Sequence, residues 1–315
     1  MWAYVLRRVL AFVPTMFFVV TLVFLLTRLV PGDPAGILAG HQLATEELIA
    51  QIHHELGLDK PMIVQYWIWL RNILHGDFGT SIFFNQPVTE VVMSRLPVTL
   101  SLTFVSLLLA LAMSIPLGVL AATRRNTLAD TTTMVFSVLG VSFPPFWLGF
   151  MFILFFSLTL GWLPTSGYRP MSMGIGVWLR HLILPSVALG LAQIALLTRT
   201  TRASMLEVLS REYITTARSK GLSRTRVIYG HALQNAMVSV VTVAGLSFAV
   251  ILGGSIVIEN VFALPGVGRL VVDAALRRDY PVIQGAVVYL VGISLLVNLL
   301  VDLSYALINP RITYD

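Results

Sequence analysis

Apolar residues run along this chain in blocks far longer than strands, near 9–30, 97–122, 131–160, 181–202, 236–258 and 282–308, and none of the blocks alternates with period two. Each block is long enough to cross a hydrocarbon core of about 30 Å as a helix. Without alternation, helices rather than a barrel are indicated, so the pattern predicts an all-α membrane protein with six transmembrane helices. An even number of crossings puts both ends of the chain on one side. The third block contains Phe143-Pro144-Pro145-Phe146, whose prolines interrupt the backbone hydrogen-bond ladder. Either half alone is too short to span, so the expectation there is one kinked helix.

Between the first two blocks, residues 31–96 form the one sizeable outer segment, too small for a substantial core of its own and expected to cap the bundle. Thr45-Glu46-Glu47-Leu48 opens a helical pattern that Gly57 ends, and Tyr66, Trp67 and Trp69 mark a segment lying at the lipid interface. From Ser204 to Lys220, Met205, Leu206, Val208, Leu209, Tyr213 and Ala217 recur at roughly helical spacing, with Glu207, Arg211, Glu212 and Arg218 on other faces. Gly221 then ends that helix and a second begins after Ser223. With no internal repeat, low-complexity tract or linker, the simplest partition is a single transmembrane domain over 1–315. It comprises a first span (1–30), the outer segment (31–96), a five-span core (97–308) carrying the loop 203–235, and a tail (309–315).

Composition agrees: 57% of the 315 residues are apolar and 11% charged, with a mean hydropathy of +0.84. Arg7 and Arg8 precede a run from Val9 to Val30 that is long for a signal peptide and lacks a small-x-small cleavage site, so it reads as an uncleaved first span. Twelve of the 21 Lys and Arg residues fall on the side shared by the termini, among them Arg124, Arg125, Arg199, Arg202, Arg218, Lys220, Arg224 and Arg226. The positive-inside rule makes that side, and both termini, cytoplasmic. Net charge is +8 inside and −1 outside, with Asp302 within a span. The overall +6 is therefore topological and calls for no nucleic-acid partner. The absence of cysteine excludes disulfides, thiolate metal sites and cysteine nucleophiles.

The stretch Thr215–Ala236, TTARSKGLSRTRVIYGHALQNA, is a basic, small-residue loop between two apolar blocks. It resembles the cytoplasmic coupling loop of ABC-importer permeases, patterned as Glu-Ala-Ala, three residues, Gly, nine residues, then Ile-x-Leu-Pro. Thr215, Thr216, Ala217 and Gly221 hold its first half, and His231, Leu233 and Gln234 its second. The Glu, Ile and Pro are replaced, as in the peptide and nickel branch. Further segments, including VLRRVLAFVPT, HGDFGTS, ENVFALPGVGRLVVDAALRRDYPVIQG and NLLVDLSYALINPR, resemble the first permease subunit of dipeptide, oligopeptide, glutathione and nickel importers.

The resemblance implies a type I ABC importer permease-like bundle in a bacterial or archaeal cytoplasmic membrane. Its partners would be a second homologous permease subunit, two ATPase subunits and an extracytoplasmic substrate-binding protein. It implies docking of the ATPase subunits by Thr215, Thr216, Ala217, Arg218, Lys220, Gly221 and His231. No phosphate-binding GxxxxGK[ST] loop occurs in this chain, so ATP and Mg belong to partner subunits and no cofactor is expected here. The small residues would admit a partner's backbone, and Arg218 and Lys220 would meet its acids. A bland rival for the same stretch is an amphipathic helix resting on anionic headgroups.

Within the membrane, Asn298, Asp302, Tyr305 and Asn309 share one face of the last span, which must face protein or water. Inter-helix hydrogen bonding and lining of a translocation path both fit. Gly245, Ala249 and Gly253 form a small-xxx-small stripe suited to helix packing or a smooth path wall, with Ser255 close to the outer end. Outside, Glu259, Arg269, Arg277 and Asp279 are candidates for an outer gate or for contact with a binding protein, against a local Arg–Asp network. His41, His53, His54 and His75 lack a ligand-like spacing, so no metal site is expected. No Ser-His-Asp set, HExxH motif or intramembrane carboxylate pair appears, which disfavours an enzyme. The reading is a pore subunit of an ATP-driven importer of small peptides. The alternatives are a glutathione or nickel importer, or an autonomous secondary transporter, for which Asp302 has no intramembrane acidic partner.

Overall fold

The computed structural model describes residues 2–29, 54 and 59–308. The chain forms α1 (Trp2–Leu29), α2 (Met62–Leu74), α3 (Val88–Thr123), α4 (Leu128–Ser142), α5 (Pro145–Phe152), α6 (Ile175–Leu209), α7 (Glu212–Ser219), α8 (Leu233–Val261), α9 (Val267–Arg277) and α10 (Tyr280–Ile308). A π-helical turn, Ile153–Thr159, extends α5, and another, Arg226–Ala232, leads into α8. Among the described residues, extended backbone pairs at the isolated bridge Thr80–Pro87. Leu10–Thr27, Val88–Thr123, Ile175–Leu209, Arg226–Val261 and Tyr280–Val301 are each long and apolar enough to cross a membrane, and α4 with the extended α5 supplies a sixth crossing if counted as one.

That bent pair corrects the expectation of one kinked helix, since α4 and the α5 stretch meet at 100°. Phe143 and Pro144 are extended between them. Pro144 disfavours a helical conformation for Phe143, while Pro145 opens α5, where a missing N–H leaves no hydrogen bond unmade.

α6 is the central helix: 67% of its most apolar window is buried, against 17% for α1. It lies along α3, α4 and α8. Close approach requires the absence of side chains at two points. A Cβ on Gly118 of α3 would sit 2.9 Å from the Thr198 carbonyl oxygen and 2.5 Å from the Thr201 Cβ of α6, and one on Gly190 of α6 would sit 3.1 Å from the Ser106 carbonyl oxygen of α3. With 36 residues, α3 is about 54 Å long and overshoots a hydrocarbon core of about 30 Å at its ends. Its first turns join α8, α9 and α10 in one apolar cluster, and its last turn joins α6, α7 and the turn before α8 in another. Sequence reading began this span at 97, yet Pro97 and Pro116 are carried inside the helix.

α2 buries none of its residues and leans on α1 through Tyr66 and Trp69, each 5.3 Å from the Phe24 ring, with a 2.7 Å hydrogen bond between Tyr66 and Thr21 hydroxyls. Trp67 is left 58% exposed, consistent with a helix at the membrane surface. Apart from His54, the Thr45–Gly57 pattern lies outside the described residues. Replacing Gly118 by valine should destabilise the protein by about 1–3 kcal/mol, because a rigid side chain would meet α6 backbone. Thermal unfolding in detergent checks this, and an unchanged midpoint would refute the close α3–α6 contact.

Candidate functional site

The predicted helix from Ser204 to Lys220 is broken in the structure. α6 stops at Leu209, Arg211 is extended, and α7 starts afresh at Glu212. The break turns the new helix so that Ile214 and Ala217 enter the apolar cluster with Val119, Met205 and Val227. Thr215, Thr216, Arg218, Ser219 and Lys220 consequently form an exposed face. Ala217, expected to admit a partner's backbone, instead faces inward at 8% exposure. Arg211 pairs with Glu207 one turn back at 2.6 Å, and Glu212 is exposed in the first turn of α7.

Gly221 ends α7 as expected, with φ +76°. The Gly221 amide donates to the Arg218 carbonyl at 2.9 Å, and the Leu222 amide to the Ala217 carbonyl at 3.4 Å, which is the paired closure of a Schellman motif. Nothing lies within 4 Å of where a Gly221 Cβ would be, so the backbone and not crowding selects glycine. Beyond it the helical chain resumes after Ser223, and half-buried His231 sits in the π-helical turn against which α7 leans. Beside α7 opens a cleft of 610 Å³ with an apolar floor that includes Leu206, Leu209 and Ile228 and with Arg125, Arg218 and Arg224 on its walls. Asp130 and Arg202 tie α4 to α6 through two charge-assisted hydrogen bonds of 2.6 and 2.7 Å. Sequence reading missed this pair; its signal was an acid in the first turn of a span on the basic side.

At the opposite end, the ENVFALPGVG stretch folds around Glu259. This carboxylate is fully buried; it accepts from the Thr99 hydroxyl of α3 at 2.6 Å and from the Arg269 amide at 2.9 Å. Thr99 Oγ1 in turn accepts from the Val267 amide at 2.8 Å. The first amides of α9, which carry partial positive charge, are thus satisfied by α8 and α3. Side chains at Gly266 or Gly268 would collide with the Glu259 carboxylate, which explains the two glycines. Glu259 was expected at a gate or partner contact; its burial makes it an internal anchor.

Asp279 is also turned inward, at 1% exposure, accepting from the Ser81 hydroxyl at 2.5 Å, the Phe83 amide at 3.1 Å and the Val282 amide at 3.4 Å. It fastens the turn before α3 to the start of α10. Arg269 lies 4.0 Å from Asp273, so the expected local Arg–Asp network is one loose pair. Arg277 is exposed and lies over the Phe83 ring at 3.6 Å.

Two family descriptions match the chain: binding-protein-dependent transport system inner membrane component over residues 114–314, and the N-terminal part of the same membrane component over 1–103. The chain belongs to this permease family. A putative peptide transport system permease of Brucella abortus (strain 2308) is 47% identical over 315 residues, covering 100% of both chains. A probable peptide ABC transporter permease of Sinorhizobium fredii (strain NBRC 101917 / NGR234) is 46% identical over 314 residues, again 100% of both. The glutathione transport system permease GsiC of Salmonella choleraesuis (strain SC-B67) is 47% identical over 311 residues, 99% of each. Among solved structures, an inward-facing MetNI methionine ABC transporter matches with a TM-score of 0.58 at 20% identity, over 70% of this chain and 96% of that one, and shows the fold.

The permease is therefore the membrane subunit of an ABC importer, a multi-pass inner-membrane protein that works with ATPase and substrate-binding components. It is a pore subunit and not itself an enzyme. The candidate path residues separate in the structure. Gly253 of the permease is exposed, whereas Ser255 is fully buried and donates to the Leu252 carbonyl of its own helix at 2.8 Å. Gly245 accommodates Val301, so the lower part of the small-residue stripe packs α8 on α10. Asn298 is half-buried; Asn309 and the side chains of Asp302 and Tyr305 lie outside the described residues, as do His41 and His53. His54 binds Asp59 at 2.9 Å and thereby holds that carboxyl below its usual range. No cluster of three metal-ligating side chains occurs among the described residues.

Removing the Glu259 carboxylate with Glu259→Ala should leave buried donors at α9 without acceptors, at a cost of about 1–3 kcal/mol. Hydrogen exchange should then accelerate over residues 267–277, less so in Glu259→Gln. Unchanged protection in both variants would contradict the anchoring role.

Proposed function

We propose that this permease imports small peptides, paired with a second homologous permease and driven by two ATPase subunits that hold the ATP and Mg. The end carrying α7 then faces the cytoplasm, as do both termini, and α9 lies on the side from which a binding protein delivers substrate. The observation that carries this reading is the exposed Thr215–Lys220 face, held out from the bundle by inward-facing Ile214 and Ala217 and closed at Gly221. Full-length relatives named as peptide permeases supply the substrate class. Glutathione is the second reading, favoured by equally similar relatives of that name.

The mechanism follows from how α7 is mounted. Its inner residues share one cluster with the last turn of α3 and with α6, so force applied to the exposed face reaches the spanning helices directly. ATP and a docked, loaded binding protein each favour one of two bundle arrangements, and their effects are reciprocal. Beside this, α8 exposes a stripe along its length: Asn235, Ser239, Thr242, Leu246, Val250, Gly253, Val257 and Asn260. Its small and polar members suit the path or the second permease better than acyl chains.

Thr216→Trp should leave folding and membrane insertion intact, because Thr216 is exposed. It should cut substrate-stimulated ATP hydrolysis by roughly 30-fold or more, the scale of a disrupted interface hot spot. Normal stimulation would sink the docking role of α7. A Cβ at Gly253 would meet nothing within 4 Å beyond its own helix, so Gly253→Trp starts from open space. It should abolish peptide uptake in proteoliposomes while the ATPase subunits still co-purify, and undiminished uptake would remove the α8 stripe from the path.

A further inference from the structure

The 610 Å³ cleft beside α7 is enclosed by the end of α3 and the loop after it, the end of α6, α7 and the turn that leads into α8. Leu206, Leu209 and Ile228 belong to its floor, and Arg125, Arg218 and Arg224 to its walls. Among the described residues no acid lines it. Acids of the adjoining segments are engaged elsewhere or point away: both Asp130 oxygens accept from Arg202, Glu207 holds Arg211 at 2.6 Å, and exposed Glu212 is not part of the lining. Arg224 Nη2 donates to the Thr123 carbonyl at 3.3 Å, which fixes the guanidinium at the cleft and leaves the rest of its fork without an acceptor among the described residues. The Arg125 and Arg218 guanidinium groups make no hydrogen bond or ion pair among the described residues. Like charges thus gather over an apolar floor, an arrangement complementary to an anion that carries an apolar body.

We propose that this cleft is a site for an anionic phospholipid of the cytoplasmic leaflet, its phosphate held by Arg125, Arg218 and Arg224 and the upper part of an acyl chain lying on the apolar floor. Depth favours that occupant: α3 is long and apolar enough to span and ends at Thr123, so the cleft opens at the end of a crossing, where headgroups lie. Exposure agrees. Leu128, three residues after Arg125, is 83% exposed, and Tyr229, next to Ile228, is 55% exposed, as suits a surface that meets lipid. Charge decides the headgroup, since guanidinium forks pair bidentately with phosphate and basic pockets between spans at the cytoplasmic surface suit acidic lipids. The site is distinct from the proposed docking face, because Thr215, Thr216 and Lys220 do not line the cleft. A lipid seated there joins the ends of α3 and α6 to α7, the segments through which the proposed docking acts on the bundle. The inference rests on the reading that puts α7 at the cytoplasmic end.

The test is native mass spectrometry of the assembled transporter released from phosphatidylcholine nanodiscs prepared with and without phosphatidylglycerol. The wild type should retain phosphatidylglycerol in preference to phosphatidylcholine. Arg125→Gln and Arg224→Gln should each weaken that retention by about 5-fold, the contribution of one arginine at an anionic membrane surface, with Arg125→Lys affected less. Arg124→Gln should leave retention unchanged, because Arg124 is also exposed but does not line the cleft. If Arg224→Gln fails to assemble, Arg125→Gln carries the test, since that side chain is exposed. Wild-type retention in Arg125→Gln overturns the inference, as does an equal loss in Arg124→Gln, which would reduce the effect to diffuse surface charge. Displacement of the lipid by excess glycerol phosphate would overturn it in favour of a soluble phosphate ester. Retention that appears only after the ATPase subunits are stripped away would overturn it in favour of a contact with them. Neither ATP nor peptide enters the measurement, so each of these results leaves the importer reading standing, whereas a wild-type preparation without ATPase subunits would sink that reading alone.

Discussion

The approach of α3 to α6 is the constraint on which the rest of this permease depends. Two glycines, Gly118 and Gly190, let the backbones come within van der Waals reach at separate points along the pair, so the helices are held in one register. α3 then serves as a rod with a function at each end. Near its start, Thr99 bridges Glu259 and the α9 amides; at its last turn, the Thr123 carbonyl accepts from Arg224 at 3.3 Å and Val119 and Ala122 seat α7. α7 and α9 are thus mounted on one element, as the proposed docking at α7 and loading from the opposite end require.

Charge burial follows the same economy of purpose. Glu259 would be costly in an apolar helix end, but its carboxylate is met by a hydroxyl and by amides at a helix N-terminus, where local field and hydrogen bonds both favour an acceptor. Asp279 and the Asp130–Arg202 pair work likewise, each joining segments distant in sequence. These groups orient elements, whereas Lys220 at one end and Arg277 at the other are exposed.

Hydrophobic block lengths made the helical bundle legible, because any apolar run long enough to cross lipid must satisfy its own backbone. The end of α7 was legible because Gly221 closes the helix for a local reason, a left-handed φ that the structure shows at +76°. Three features were not. The 100° turn at Pro144-Pro145 was read as a kink, since length rules presume straight crossings. The inward turn of Ala217 depends on the break at Arg211, which periodicity carried straight through. The burial of Glu259 and Asp279 rests on partners far away in the chain, Thr99 and Ser81, which no local pattern connects.

The central claim is that transport through this permease is driven through its partners. Its most direct test is peptide uptake into proteoliposomes, comparing the chain alone with the complex of both permeases, ATPase subunits and binding protein. The account predicts uptake only when ATP and the binding protein are supplied to the full complex. Uptake by the chain alone, driven by an ion gradient without ATP, would contradict it.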